Sequence, residues 1–98
     1  MINYKYKVRY SKKFKKGLKR IVKQGKDIEK LLDIVDLLAD KQELEPKYRN
    51  HYLINDKYYT NCMECHIEPD WLLIYQYVDD ELILLLIDTG SHSALFKK

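Results

Sequence analysis

The sequence predicts an α+β fold in which one antiparallel sheet of about four strands packs against an N-terminal helical hairpin. Two observations predict it. Residues 11–39 carry apolar side chains at helical spacing on both sides of a glycine-containing turn, and residues 62–87 contain three strand-like segments separated by turn residues. The element order is therefore β-αα-βββ, followed by a short C-terminal segment. Since 98 residues can bury one core but hardly two, residues 1–98 are expected to form a single domain.

A change in the spacing of aromatic and apolar residues along the chain predicts the first strand and then the first helix. Tyr4 to Tyr10 alternates aromatic and basic residues, which suits a half-exposed strand. Ser11 then offers a helix N-cap, and Gly25 is placed to end the helix. Between them, apolar side chains recur at helical spacing, at Phe14, Leu18, Ile21 and Val22.

The second helix begins at a second capping residue, Asp27. Its apolar stripe comprises Ile28, Leu31, Leu32, Val35, Leu38 and Ala39, widened by Ile34 and Leu37. Two amphipathic helices joined by a short turn are expected to form an antiparallel hairpin.

The rest of the chain predicts a long connection and then the sheet. Glu43 to Asn61 is polar and tyrosine-rich, and a connection of that length is usually functional or poorly ordered. Strands are predicted at Cys62–Glu68, Trp71–Val78 and Leu82–Ile87, before a short closing segment that ends at Phe96. The last two strands are apolar on both faces, so they are expected to lie centrally in the sheet.

The charge distribution is strongly uneven. Residues 1–26 hold eleven Lys or Arg and no acidic residue, whereas residues 27–98 hold seven basic and fifteen acidic residues. A cationic sector of this density would attract an anionic polymer and release its counterions. A solvated basic helix face is an equally good interpretation of the charge alone.

Composition also bears on location and on the cysteines. No apolar run approaches the roughly 18 residues that span a bilayer, and no signal peptide opens the chain, so a cytoplasmic protein without membrane contact is expected. Cys62 and Cys65 are then expected to be reduced thiols. Together with His66 they match the C-x-x-C-H pattern of haem attachment, but on a strand they project to opposite faces, which argues against haem. A zinc site lacks a second ligand pair at standard spacing.

The three histidines of the chain, His51, His66 and His92, all lie in its second half. Two of them belong to the short runs CHIEPDW (Cys65 to Trp71) and TGSHSALF (Thr89 to Phe96). Histidine exchanges protons near neutral pH, so these runs, with Asp70, predict an acid–base site. The alternative for each residue is structural: Asp70 as a turn residue, and an aromatic ring as part of the core.

These two runs, together with YRNHYL (Tyr48 to Leu53) and the basic first helix, resemble the YafQ branch of the RelE superfamily, the toxins of bacterial toxin–antitoxin modules. The resemblance covers essentially the whole chain. It implies a RelE-like fold and a small endoribonuclease that cuts mRNA in the A site of the ribosome and is silenced by a cognate antitoxin.

The resemblance also implies roles for particular residues. The catalytic positions of the family fall on His51, His66, Asp70 and His92, and its RNA-contacting aromatic positions fall on Trp71 and Phe96. Cleavage through the RNA's own 2′-hydroxyl needs a base, an acid and charge stabilisation. The four catalytic residues are expected to share the proton transfers, and the two rings to stack on bases. No metal or other cofactor is expected.

The chain departs from the family pattern at Asp88, where relatives usually carry an arginine immediately before Thr-Gly. Without that arginine, either another cation takes its place or catalysis is weakened, leaving a module that contacts antitoxin or ribosome without cleaving RNA. A further possibility is that Asp88 pairs with a histidine. The candidate replacement cations are Lys47, Arg49, Lys57 and Lys97, of which Arg49 and Lys57 are also predicted to contact the substrate.

The basic first helix is the predicted contact with ribosomal RNA, and it also offers a docking surface for an acidic antitoxin segment. Its cationic residues are Lys12, Lys13, Lys15, Lys16, Lys19, Arg20 and Lys23, with Lys26 just beyond.

Overall fold

The computed structural model describes residues 5–54 and 56–96. Within these residues the strands are β1 (Lys7–Tyr10), β2 (His51–Tyr52), β3 (Met63–Glu68), β4 (Trp71–Val78) and β5 (Ile83–Gly90). The helices are α1 (Lys12–Lys23), α2 (Ile28–Ala39) and α3 (His92–Phe96), and short 3₁₀ turns span Pro46–Tyr48 and Asp79–Glu81. Two residues of the predictions, Tyr4 and Lys97, lie outside the described residues.

The helical hairpin is confirmed, and local side chains set its ends. Ser11 Oγ accepts a hydrogen bond from the Phe14 N–H at 3.0 Å, and Asp27 Oδ1 accepts one from the Glu29 N–H at 3.0 Å. Each bond satisfies a backbone donor that the first turn of a helix leaves unpaired. Between the helices Gly25 adopts φ +80°, a left-handed conformation that lets the chain reverse.

The sheet differs from the prediction in two respects. Its strand order is β1-β5-β4-β3-β2, so it has five strands within the described residues, and the fifth, β2, comes from the segment predicted as connection. β1 runs parallel to β5, with Lys7 opposite Ile83, whereas the other pairs are antiparallel. The prediction of a purely antiparallel sheet of about four strands is therefore wrong in these details, while the α+β class is confirmed.

The sheet buries both of its faces, and β4 and β5 lie centrally as predicted. The face under the hairpin packs Trp71, Leu73 and Tyr75 against Ile21 and Leu38. The opposite face forms a second apolar cluster, and its buried members are Tyr59, Cys62, Leu72, Ile74 and Leu95. This second cluster includes residues of α3 and of the loop before β3. It therefore holds α3, which carries most of the run Thr89 to Phe96, against the sheet.

α1 lies against the C-terminal half of β5, beyond the reach of the short strand β1. At Gly17 the helix comes so close that an added Cβ would stand 2.3 Å from the backbone oxygen of Thr89 and 3.1 Å from Asp88 Oδ1. Glycine is therefore needed for this approach, which covers a part of β5 that would otherwise be a free edge.

None of the helices within the described residues has both the length and the apolar character that crossing a membrane requires.

Candidate active site

Two histidines meet over one buried carboxylate. His51 lies on β2 directly opposite Glu64 of β3, and His66 follows Glu64 by two residues on the same face of that strand. Glu64 Oε1 is 3.4 Å from His51 Nε2 and 3.2 Å from His66 Nε2, and only 5% of Glu64 is exposed. The two imidazole ring centroids are 6.4 Å apart.

The other ring nitrogen of each histidine faces a backbone carbonyl oxygen. His51 Nδ1 is 2.6 Å from the backbone oxygen of Arg49, and His66 Nδ1 is 3.2 Å from that of Pro69. A carbonyl oxygen can only accept, so each Nδ1 is the donor in these bonds. Both imidazoles are thereby oriented with Nε2 toward the Glu64 carboxylate.

The second pair of predicted catalytic residues meets where the β3–β4 turn touches the start of α3. Asp70 Oδ1 accepts a hydrogen bond from the backbone N–H of His92 at 2.9 Å. The carboxylate thereby satisfies a donor at the helix start and leaves the His92 imidazole exposed. Because Pro69, the partner of His66, directly precedes Asp70 in the chain, the two pairs are linked through the β3–β4 turn. We call this set of residues the histidine row, and it consists of His51, Glu64, His66, Asp70 and His92.

Phe96 continues this row along α3. Its ring centroid lies 4.9 Å from that of His92 and 5.6 Å from that of Tyr59, the latter in an edge-on arrangement. Phe96 is only partly buried, so one part of the ring packs against the second apolar cluster and another part faces solvent. This placement is compatible with stacking on an RNA base.

Trp71 does not have the predicted role. Its relative exposure is 0%, it belongs to the core under the hairpin, and its Nε1 donates to Thr89 Oγ1 at 3.0 Å. A ring with no exposed surface cannot stack on an RNA base, so the substrate-binding prediction for Trp71 is corrected to a core residue. The cause is its position at the start of β4, the central strand, whose two faces are covered by the two apolar clusters.

Arg49 lines a groove together with His66. The groove, about 570 Å³, lies between α2 and the end of β3, and its charged lining residues include Lys30, Lys47, Arg49 and Glu68. Arg49 takes a left-handed conformation, φ 48°, directly after the 3₁₀ turn. The predicted substrate residue Arg49 is thus adjacent to the histidine row. Lys57 is exposed, and its Nζ lies 5.4 Å from the centre of the Tyr58 ring.

Asp88 is a buried structural residue. Only 4% of it is exposed, Oδ2 accepts a hydrogen bond from the Tyr59 hydroxyl at 2.8 Å, and Oδ1 accepts the Thr89 N–H at 2.9 Å. Burial and the neighbouring Asp88 carboxylate raise the pKa of Tyr59. These bonds replace the predicted pairing of Asp88 with a histidine, which the structure does not contain within the described residues.

The two cysteines lie on opposite faces of the sheet, as the alternation on β3 predicts. Cys65 is in the core under the hairpin and Cys62 is in the second apolar cluster, and both are buried free thiols. Burial raises the pKa of both thiols, that of Cys65 to about 12. Across residues 5–54 and 56–96, no group of three or more His, Cys, Asp or Glu side chains is arranged to hold a metal ion.

Comparison with known families identifies the chain. The family model described as "Bacterial toxin of type II toxin-antitoxin system, YafQ" matches residues 6–97. The chain belongs to the YafQ toxin family. The mRNA interferase toxin YafQ of Escherichia coli strain B is 36% identical over 90 residues, which cover 91% of this chain and 94% of that protein.

Solved structures of similar proteins have the same fold. A metal-bound toxin from Helicobacter pylori is 44% identical, with a TM-score of 0.86 over 93% of this chain and 99% of that one. The Escherichia coli DinJ–YafQ complex contains a chain that is 35% identical, with a TM-score of 0.81 over 93% of this chain and 98% of that one.

Sequence reasoning missed two residues that shape the site of this YafQ-family protein. Glu64 joins His51 to His66, and Tyr59 joins Asp88 to the backbone oxygen of Leu95 in α3, at 3.1 Å. Alternation along β3 could have identified Glu64, since it shares a face with His66. Nothing local identifies Tyr59, because its partners are distant in sequence.

Proposed function

We propose that this protein is an endoribonuclease toxin that cleaves mRNA on the ribosome and is held inactive by a cognate antitoxin. The observation that carries the proposal is the histidine row, which links His51, His66, Asp70 and His92 through Glu64 and the β3–β4 turn in a member of the YafQ family. The expected location is the cytoplasm, where ribosomes hold their mRNA.

The proposed reaction needs only groups that the chain supplies. The RNA 2′-oxygen attacks the adjacent phosphorus while the bond from phosphorus to the 5′-oxygen breaks, which leaves a 2′,3′-cyclic phosphate and a 5′-hydroxyl. One group of the histidine row removes the 2′-hydroxyl proton and another protonates the leaving 5′-oxygen. The exposed part of Phe96 orients a base by stacking, and Arg49 and Lys57 contact the RNA backbone.

The exposed basic face of α1 is proposed to contact ribosomal RNA. Every Lys and Arg of α1 is exposed, and the helix contains no acidic residue. Binding to ribosomes should therefore weaken steeply as salt rises. Charge reversal at Lys16 and Lys19 should weaken binding and reduce the salt dependence; unchanged binding would contradict this contact.

The antitoxin is proposed as a second partner by analogy with the DinJ–YafQ complex. Co-expression with a protein encoded beside this gene should relieve growth arrest if the proposal is right. A chain that arrests growth equally with every such neighbour would lack this control.

Cleavage is tested on ribosomes that hold a defined message. The wild-type protein should produce new 5′-hydroxyl ends in the message, and His66→Ala or His92→Ala should remove them. Asp80→Ala, an exposed carboxylate at the opposite end of β4, is the control and should cleave like the wild type. A wild-type protein that produces no new ends and does not arrest growth would contradict the proposal.

A second candidate function is a binding module that has kept the ribosome or antitoxin contact and lost cleavage. Asp88 favours it, because a buried aspartate occupies the position where relatives usually carry an arginine. The same experiment discriminates the two candidates, since the module would bind ribosomes without producing new 5′ ends.

A further inference from the structure

The histidine row contains no cation of permanent charge, although the proposed reaction concentrates negative charge on phosphorus-bound oxygens. Histidine, aspartate and glutamate supply acids and bases. An arginine or lysine beside them would be needed to stabilise the phosphorane. Since residue 88 supplies a buried carboxylate, that cation has to come from another element.

α1 brings an arginine to this place. Arg20 Nη1 lies 3.2 Å from the point where a Cβ on Gly90 would stand, and the same point is 3.5 Å from Leu95 and 3.6 Å from Ala94 of α3. The guanidinium is therefore packed at the junction of β5 and α3. Leu95 and Ala94 belong to α3, the helix that begins at His92, so Arg20 lies against the element that carries the last residue of the histidine row.

The backbone of this junction is shaped to admit the guanidinium. Gly90 adopts φ +155°, where side chains are rarely found, and a side chain there would meet Arg20. One helical turn earlier, the close approach of Gly17 to Thr89 fixes how far α1 stands from β5. Two glycines thus leave the space that α1 and the Arg20 guanidinium occupy against β5.

The same face of α1 continues away from the junction as a line of positive charge. Lys13, Lys16 and Arg20 follow one another at helical spacing, and Lys13 Nζ lies 4.9 Å from the centre of the Tyr59 ring. Tyr59 contacts Phe96, which in turn contacts His92. An RNA backbone that follows this face would therefore reach the histidine row at Arg20.

Arg20 is also available to an anionic ligand. It is exposed, and no carboxylate among the described residues forms an ion pair with it. Glu68, by contrast, is held by Lys26 and Lys30 at 3.2 and 2.9 Å.

We propose that Arg20 is a catalytic residue whose guanidinium binds the non-bridging oxygens of the scissile phosphate and stabilises the phosphorane beside His92. It exchanges no proton. It presents two parallel N–H donors to two oxygens, a geometry that lysine cannot reproduce. This inference rests on the proposed ribonuclease function and identifies the cation that replaces the arginine absent at position 88.

The test is single-turnover cleavage of ribosome-bound message at saturating toxin, so that weaker binding does not affect the rate. Arg20→Ala should lower the cleavage rate about 100- to 1,000-fold, the usual cost of removing one donor to a developing oxyanion. Arg20→Lys should fall between Arg20→Ala and the wild type. Added guanidinium ion at non-denaturing concentration should partly restore Arg20→Ala. Arg9→Ala removes the same charge from the exposed strand β1 and should leave the rate unchanged.

The outcomes separate this inference from the function on which it rests. A wild type that cleaves, with Arg20→Ala within threefold of it, would overturn the role of Arg20 and leave the ribonuclease intact. Equal loss in Arg20→Ala and Arg20→Lys, with lowered melting temperatures and no response to guanidinium, would show a structural role and overturn the inference as well. A wild type that does not cleave would overturn both.

Discussion

Gly17→Ala gives a test in which helix propensity and tertiary packing predict opposite signs. Gly17 lies in the middle of α1, where alanine is favoured over glycine by about 1 kcal/mol. In this fold, however, the added Cβ would stand 2.3 Å from the Thr89 oxygen. That is about 1 Å inside the separation of roughly 3.5 Å at which non-bonded heavy atoms attract each other best.

The clash cannot be relieved by a side-chain rotation, because the Thr89 oxygen belongs to the backbone of β5. α1 must move away from the sheet, which separates the packed surfaces of Phe14 and Ile21 from the core. Overpacking of this kind costs about 1–3 kcal/mol, and contact with backbone places it at the upper end. After the gain in helix propensity, we expect a net loss of about 2 kcal/mol in the free energy of unfolding.

Urea and thermal denaturation measure this loss directly. For a domain of this size, 2 kcal/mol corresponds to a melting temperature lower by about 10 °C. Gly25→Ala is the comparison: Gly25, unlike Gly17, has a positive φ, and it has nothing within 4 Å of an added Cβ, so its variant reports backbone strain without a clash. A Gly17→Ala protein more stable than the wild type would show that α1 does not approach β5 this closely, and would remove the basis for placing Arg20.

Three further predictions concern buried or paired groups. Tyr59→Phe should lower the free energy of unfolding by about 1–3 kcal/mol in urea denaturation, because the buried Asp88 carboxylate loses its hydroxyl donor. Lys26 and Lys30 hold the pKa of Glu68 below its usual 4.5, so these two ion pairs stabilise the fold above pH 4.5. Their contribution to the free energy of unfolding is lost as the pH falls through the lowered pKa of Glu68. Glu68→Gln should therefore be less stable than the wild type at pH 7, by at most about 1 kcal/mol, and equally stable near pH 3. Because burial raises the pKa of Cys62 and Cys65, Ellman's reagent at pH 8 should label neither thiol in the folded protein and both in urea.

Each of these predictions has a control. Tyr10→Phe removes a hydroxyl from an exposed tyrosine and should leave stability unchanged; a loss equal to that of Tyr59→Phe would contradict the role of Asp88. Glu81→Gln removes an exposed carboxylate and should show no pH-dependent difference of the kind expected for Glu68. Rapid labelling of either cysteine without denaturant would mean that the sheet face covering it opens readily.

The helices could be predicted from the sequence because their determinants are local. Ser11 and Asp27 cap the helices within three residues of their own positions, and the period of the apolar residues needs no partner. The direction of β1 could not be predicted, because alternation shows which face a residue takes but not which strand it pairs with or in which direction. β2 was missed for a related reason: two residues are too few to show a period.

The candidate site could likewise be predicted from the sequence only in part. Its acid–base residues were found by type and by motif, and the structure joins them through contacts of the β3–β4 turn with α3. Trp71 was misassigned because a motif does not reveal burial, which depends on the strands on either side of β4. Glu64 was overlooked because its importance arises from β2, which places His51 over it.

The surroundings of Asp88 fit an aspartate better than the arginine that the family resemblance implies at this position. Its carboxylate is held between the Tyr59 hydroxyl and the Thr89 N–H, and Oδ1 lies 3.1 Å from the point where a Cβ on Gly17 would stand. A longer side chain pointing the same way would therefore meet α1, and a buried cation there would lack the acceptors that compensate for lost hydration. In this structure the close approach of α1 at Gly17 both limits the space around Asp88 and brings Arg20 to Gly90.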